Sequence, residues 1–149
     1  MNNLASSEEL RKVAMNFDEA LENKNLNAIL ERFSDDCEIE LIGIKLSGKG
    51  GAGKWLNWLF AHLASIKFLP ITIIVDGNTF FEEYKVSARL HNGEEVETKQ
   101  TVVLTFENLK IKSLRMYFDR LDFASSVAKD VISKTIVRKI MKASLEGLA

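Results

Sequence analysis

Lys110-Ile111-Lys112-Ser113-Leu114-Arg115-Met116-Tyr117-Phe118-Asp119 carries the strongest fold signal in the chain. Its side chains alternate. Leu114, Met116 and Phe118 fall on one face, and Arg115, Tyr117 and Asp119 on the other, as a β-strand requires. The run closes a series of hairpins, so it reads as a long strand in a curved antiparallel sheet. If its apolar face lines a cavity, Met116 stands where a catalytic group would stand, and a thioether transfers no proton.

Working outward, the preceding residues supply the rest of that sheet. Phe68 to Val75 leads into the turn Asp76-Gly77, and Thr79 to Leu90 into Asn92-Gly93. Glu95 to Phe106 then turns through Glu107-Asn108-Leu109. Pro70 sits at a predicted strand start, where its missing N–H is tolerated. Further upstream, Ser6 and Glu9 form a capping box before an apolar repeat of Leu10, Val13, Ala14, Phe17, Ala20 and Leu21. Asn25 caps a short second helix that Ser34-Asp35-Asp36 breaks. Cys37 to Ile44 reads as a strand. A glycine-rich turn, Gly48 to Gly53, leads into a helix bearing Trp55, Leu56, Trp58, Leu59, Phe60 and Leu63. Downstream, Ser125 to Leu148 reads as one helix with an apolar stripe and a basic flank. The order α-α-β-α-β-β-β-β-α indicates an α+β domain.

Composition narrows the function. The 149 residues fit one domain, with a formal net charge of −1 that recruits neither nucleic acid nor an anionic membrane. One cysteine, Cys37, has no disulfide partner, and two histidines make no metal site. Met1 to Glu9 is polar with no signal core, and no run is long enough to span a bilayer, so a cytoplasmic location is expected. No cofactor and no metal is expected. Gly48-Lys49-Gly50-Gly51-Ala52-Gly53 fits a dinucleotide fingerprint, and Gly48 to Lys54 nearly fits a phosphate-binding loop. Antiparallel hairpins follow instead of a β-α-β unit, and Trp55 replaces the magnesium-binding hydroxyl, so both nucleotide readings fail.

Several motifs occur in a telling order: Phe17-Asp18-Glu19-Ala20-Leu21-Glu22-Asn23-Lys24-Asn25-Leu26, then Arg32-Phe33-Ser34-Asp35-Asp36-Cys37-Glu38-Ile39, then Leu46-Ser47-Gly48-Lys49 before a helix. Arg115-Met116-Tyr117-Phe118-Asp119 follows, with Phe123 after it. This series resembles the nuclear-transport-factor-2-like superfamily, which includes ketosteroid isomerase, SnoaL-type polyketide cyclases, scytalone dehydratase and limonene-1,2-epoxide hydrolase. The last strand is most similar to the epoxide hydrolase. The resemblance covers about residues 5 to 123, so residues 1–123 are expected to form the domain and 124–149 a C-terminal helix packed on it or on a partner. It implies a cone-shaped α+β fold, in which a strongly curved sheet packs against N-terminal helices. It also implies a homodimer through sheet faces and a small apolar ligand in the cone.

The resemblance also assigns positions. Those of the epoxide hydrolase's water-positioning residues fall at Ile39 and Leu41, its charged pair at Glu83 and Lys85, and its last-strand aspartate at Met116. The ketosteroid isomerase positions fall at Phe17, Leu41 and Val102. None of the family residue types is retained at these positions. Leu56, Phe60, Gln100, Leu114 and Phe118 complete the expected lining. Glu83 and Lys85 are thus the candidate catalytic pair, Glu83 as a general base or ligand anchor oriented by Lys85. The alternative is a pair at a solvated rim. The expected function is binding of a small, mostly apolar molecule, with divergent isomerase, cyclase or hydrolase chemistry. The competing class is a non-catalytic dimeric module with a filled cone.

Overall fold

Ser6 caps the first helix: its hydroxyl accepts from the Glu9 N–H while the Glu9 carboxylate accepts from Ser6 N–H. From that start α1 (Ser7–Glu22) runs as an amphipathic helix and buries Leu10, Ala14, Phe17 and Leu21. The computed structural model describes residues 5–148; the polar opening Met1–Leu4 lies outside the described residues. α2 (Leu26–Glu31), capped by Asn25, leads into β1 (Phe33–Leu41), β2 (Ile44–Ser47) and α3 (Gly48–His62). Four long strands follow: β3 (Leu63–Asp76), β4 (Thr79–Leu90), β5 (Glu95–Glu107) and β6 (Lys110–Phe118). The chain ends in α4 (Leu121–Val127) and α5 (Val131–Ser144).

The six strands form one curved, unclosed sheet in the order β2-β1-β6-β5-β4-β3. Four pairings are antiparallel; β1 runs parallel to β6. α1 and α3 cover the inner face, and the core lies between them and alternate residues of the sheet. On β4 those residues are Phe80, Tyr84, Val86 and Ala88; on β5 they are Val102, Leu104 and Phe106. The opposite residues face outward.

Local differences from the sequence reading have physical causes. Pro70 is not at a strand start: β3 begins at Leu63, and the proline sits where its pairing with β4 slips, on the edge strand. There a missing N–H breaks no ladder. The hairpin from β1 to β2 escaped notice because its turn is Ile42-Gly43, with the branched Ile42 at φ 38°. Such a residue is rarely found there. The glycine run is not a turn followed by a helix but the first turns of α3. Gly48 has φ 67°, and a Cβ there would come within 3.2 Å of the Asp35 carbonyl oxygen; a Cβ on Gly51 would press on Leu46 at 3.0 Å. Gly48 is explained by backbone shape and Gly51 by close packing, whereas Gly50 and Gly53 meet neither constraint.

The single C-terminal helix is two, because Ala128 is extended between α4 and Asp130, whose carboxylate caps α5. α5 buries none of its described side chains and leaves Val131, Ile132, Ile136 and Ile140 exposed. Trp58, on the apolar run of α3, is 58 % exposed and lies against His62.

Candidate functional site

β4 supplies the centre of the site. Its inward row reads Phe80, Glu82, Tyr84, Val86, Ala88, so one carboxylate interrupts an otherwise apolar or aromatic face. Glu82 is 0 % exposed and Tyr84 2 %. Across the sheet Glu82 pairs in register with Val102, Val102 with Met116, and Met116 with Leu41. Val102, Met116 and Leu41 are positions to which the resemblance assigned family active residues. The acid stands in the same cross-strand row, on β4.

The second carboxyl comes from α1. Asp18 follows Phe17 and shares its face with Ala14 and Leu21, so the helix that buries those residues also carries Asp18 to the sheet. Its carboxyl stands beside that of Glu82, near enough for each to shift the other's titration. No hydrogen-bond donor reaches Asp18 Oδ2 or either Glu82 oxygen. Burial raises the Asp18 carboxyl far above the ordinary range, to about 9, and the adjacent Glu82 and then Glu22 add to the rise. Burial also raises Glu82, while the adjacent Asp18 carboxyl pulls it back down. Burial thus works against full ionisation of the pair, and the two carboxyls titrate together rather than as independent acids.

Two further groups complete the surroundings. The Tyr84 phenol is pushed upward by burial and then by the neighbouring Asp18 and Glu82, so it stays neutral and donates to Gln100 Oε1 at 3.2 Å. One turn beyond Asp18, Glu22 Oε1 accepts from the Phe68 N–H at 2.8 Å, tying α1 to the edge strand. Phe68 meets the Tyr84 ring edge-on, 5.4 Å between centroids. α4 lies against β5: Thr98 Oγ1 donates to Asp122 Oδ2 at 2.5 Å, and Phe123 stacks edge-on against Phe118 at 5.7 Å.

Glu83 and Lys85, the sequence candidates, are not on this face. The alternation of β4 turns both outward. Glu83 Oε2 accepts from Thr72 Oγ1 at 3.2 Å, and Lys85 pairs with Glu97 at 2.9 Å rather than with Glu83. A register error of one residue exchanges the two faces of a strand; moving the inferred pair by one gives Glu82 and Tyr84. Of the expected lining, Phe17, Ile39, Leu56, Val102 and Leu114 are buried, and Leu41, Phe60, Gln100, Met116 and Phe118 are half-buried. Asp18 and Glu82 are the residues that sequence reasoning missed. Their signal was an acid on the apolar stripe of a helix and another in the apolar row of a strand.

A separate polar groove of about 340 Å³ lies outside the sheet's concave face, lined by Ser34, Asp35, Asp36, Lys49, Glu107 and Lys110 among others. It is open to solvent and holds no buried titratable pair. Among the described residues no three His, Cys, Asp or Glu side chains converge as metal ligands. No described helix is long and apolar enough to cross a membrane.

A family model, the SnoaL-like domain, matches residues 14–114. The chain belongs to the SnoaL-like family. Members of this fold family typically bind ligands and have isomerase, cyclase or hydrolase activities. No curated protein sequence matches the chain. Among solved structures, a putative SnoaL-like polyketide cyclase from Jannaschia sp. CCS1 aligns with TM-score 0.75 at 9% identity, over 87% of this chain and 97% of that one. An epoxide hydrolase of M. tuberculosis, described as LEH-like, aligns with TM-score 0.68 at 18% identity, over 93% and 96%. An NTF2-like protein of unknown function from Burkholderia pseudomallei aligns with TM-score 0.68 at 18% identity, over 74% and 91%. At these identities the likeness establishes the fold, and the SnoaL-like assignment rests on the family model.

Proposed function

We propose that the concave face receives a small, mostly apolar molecule and that the Asp18–Glu82 pair is its polar anchor and proton-transfer group. One observation carries this reading: the Asp18 and Glu82 carboxyls stand together on the concave face with buried oxygens that no donor reaches. A carboxylic acid held neutral donates a hydrogen bond to a reacting oxygen, and its partner accepts a proton in return. That is the chemistry an isomerase, cyclase or hydrolase needs. The half-buried Leu41, Phe60, Met116 and Phe118 would form the apolar approach, and Met116 is the most adaptable of them. We further propose a homodimer through the outer face of the sheet, where Ile74, Phe81 and Val103 lie in one cross-strand row.

A thermal-shift screen of small cyclic ketones, epoxides, alcohols and amines tests binding, since a molecule that binds only the folded chain raises its Tm. Exchange of ketone α-protons in D2O, followed by NMR, tests proton transfer. Exchange is expected from the wild type and should be lost in Glu82→Gln. Exchange unchanged in that variant contradicts the assignment.

A second reading is favoured by the complete burial of Glu82. In a permanently closed cone the pair would serve no ligand, and the protein would be a non-catalytic module. A screen without a single hit would favour it.

A further inference from the structure

The most unusual feature of the acid pair is what it lacks. Asp18 Oδ2, Glu82 Oε1 and Glu82 Oε2 are buried acceptors that no hydrogen-bond donor serves. Glu82 is 0 % exposed. Among the described residues no salt bridge reaches Asp18, Glu22 or Glu82. Lys24, two residues past Glu22, is committed elsewhere: its Nζ donates to the Leu63 carbonyl at 2.5 Å and stands 5.9 Å from the Phe60 ring centroid. The site is thus a group of carboxyls with no cation beside them and with unserved acceptor atoms, next to Tyr84, whose ring meets that of Phe68.

Three ligand chemistries can be weighed. An anion would meet three carboxyl groups and no cation. A neutral oxygen acceptor would add one more acceptor to atoms that already lack donors. A protonated amine brings both missing things, a positive charge and several N–H donors, and aromatic faces attract it further. A metal ion would also bring charge, but Asp18, Glu22 and Glu82 do not converge as a ligand set.

We propose that the ligand of this site is a primary or secondary amine with a compact apolar body, its ammonium group held by Asp18 and Glu82. The proposal rests on the reading of the concave face as a binding site and names the class of molecule that enters it. Glu22 lends negative potential from the next turn of α1 without giving up its bond to Phe68.

Benzylamine and benzyl alcohol are matched probes, of nearly the same size and differing in charge and donor number. Calorimetric titration of the full chain at neutral pH should show benzylamine binding at least ~10-fold more tightly, with proton release visible as a dependence of the heat on buffer. The advantage should vanish in the double variant Asp18→Asn/Glu82→Gln and persist in Glu83→Gln, whose lost carboxylate is on the outer face. Equal binding of the two probes by the wild type would overturn the amine assignment and leave the binding site standing. An amine preference that survives the double variant would overturn it too, by placing the attraction elsewhere. No binding of either probe would count against both readings.

Discussion

Glu82 and Glu83 are chemically the same residue, adjacent on one strand, and they have opposite circumstances. Glu83 faces outward beside Thr72 and solvent. Glu82 is sealed against α1 with Asp18 for company. The next pair repeats the contrast: Tyr84 is buried and donates to Gln100, while Lys85 meets Glu97 on the outer surface. Burial, rather than residue type, separates a candidate proton-transfer group from a surface charge. A carboxylate in water costs nothing to keep ionised; one in the interior must find a proton, a donor or a cation.

The contrast can be broken most severely by adding a third acid on each face. Val102 lies directly opposite Glu82 and Thr101 directly opposite Glu83. Val102→Asp should cost about 3–5 kcal/mol, since it buries another unpaired charge beside the pair. Thr101→Asp should cost less than about 1 kcal/mol, the scale of exposed like charges. Urea unfolding of the two variants at neutral pH measures the difference, and equal costs would mean the faces are not as assigned.

Removing the inner charges should act in the other direction. Asp18→Asn/Glu82→Gln is expected to gain stability on the order of 2 kcal/mol at mildly alkaline pH, because buried ionisable groups often stabilise less than neutral replacements do. The sign follows from linkage. Both inner carboxyls have folded pKa values above their unfolded ones. Well below pH ~4, carboxyls carry their protons in both states, and ionisation of the pair costs the fold nothing. As pH rises toward the Asp18 value of about 9, the folded chain holds protons that the unfolded chain has released, so stability falls. Melting curves across that range should slope downward for the wild type and flatten in the double variant. The profile of Glu83→Gln should keep the wild-type slope.

Outer charges should matter least. Lys85→Ala is expected to change stability by less than about 1 kcal/mol, as for a solvated ion pair. A loss several times larger would place Lys85 inside after all. A comparably small gain, about 0.5–1 kcal/mol, is expected from Leu109→Gly. Asn108 and Leu109 both have positive φ in the β5–β6 turn, and leucine is the residue there that strains. Thermal melts suffice to measure both.

Much of the architecture was legible because it is local. The alternation at Lys110–Phe118, the Asn92-Gly93 turn and the Ser6–Glu9 capping box each specify an element without help from distant residues. The Ile42-Gly43 turn was not legible, because tertiary pairing of β1 with β2 overrides a poor turn residue. The site required a register and a contact. The row Phe80, Glu82, Tyr84, Val86, Ala88 is visibly the more apolar face of β4, and that alternation alone places Glu82 inside. The resemblance to a related family pointed to Glu83 there instead. The meeting of Asp18 with Glu82 joins a helix to a strand far along the chain, and only the packed fold brings them together.

Asp18 and Glu82 are expected to hold a proton in the interior at neutral pH. Carbon NMR of labelled aspartate and glutamate side chains reads it directly, with Asp18→Asn and Glu82→Gln used to assign the signals. The account predicts that the Asp18 carboxyl stays protonated at neutral pH and loses its proton only in the alkaline range. An Asp18 signal that is fully ionised by pH ~5, as for a carboxylate in water, would contradict it.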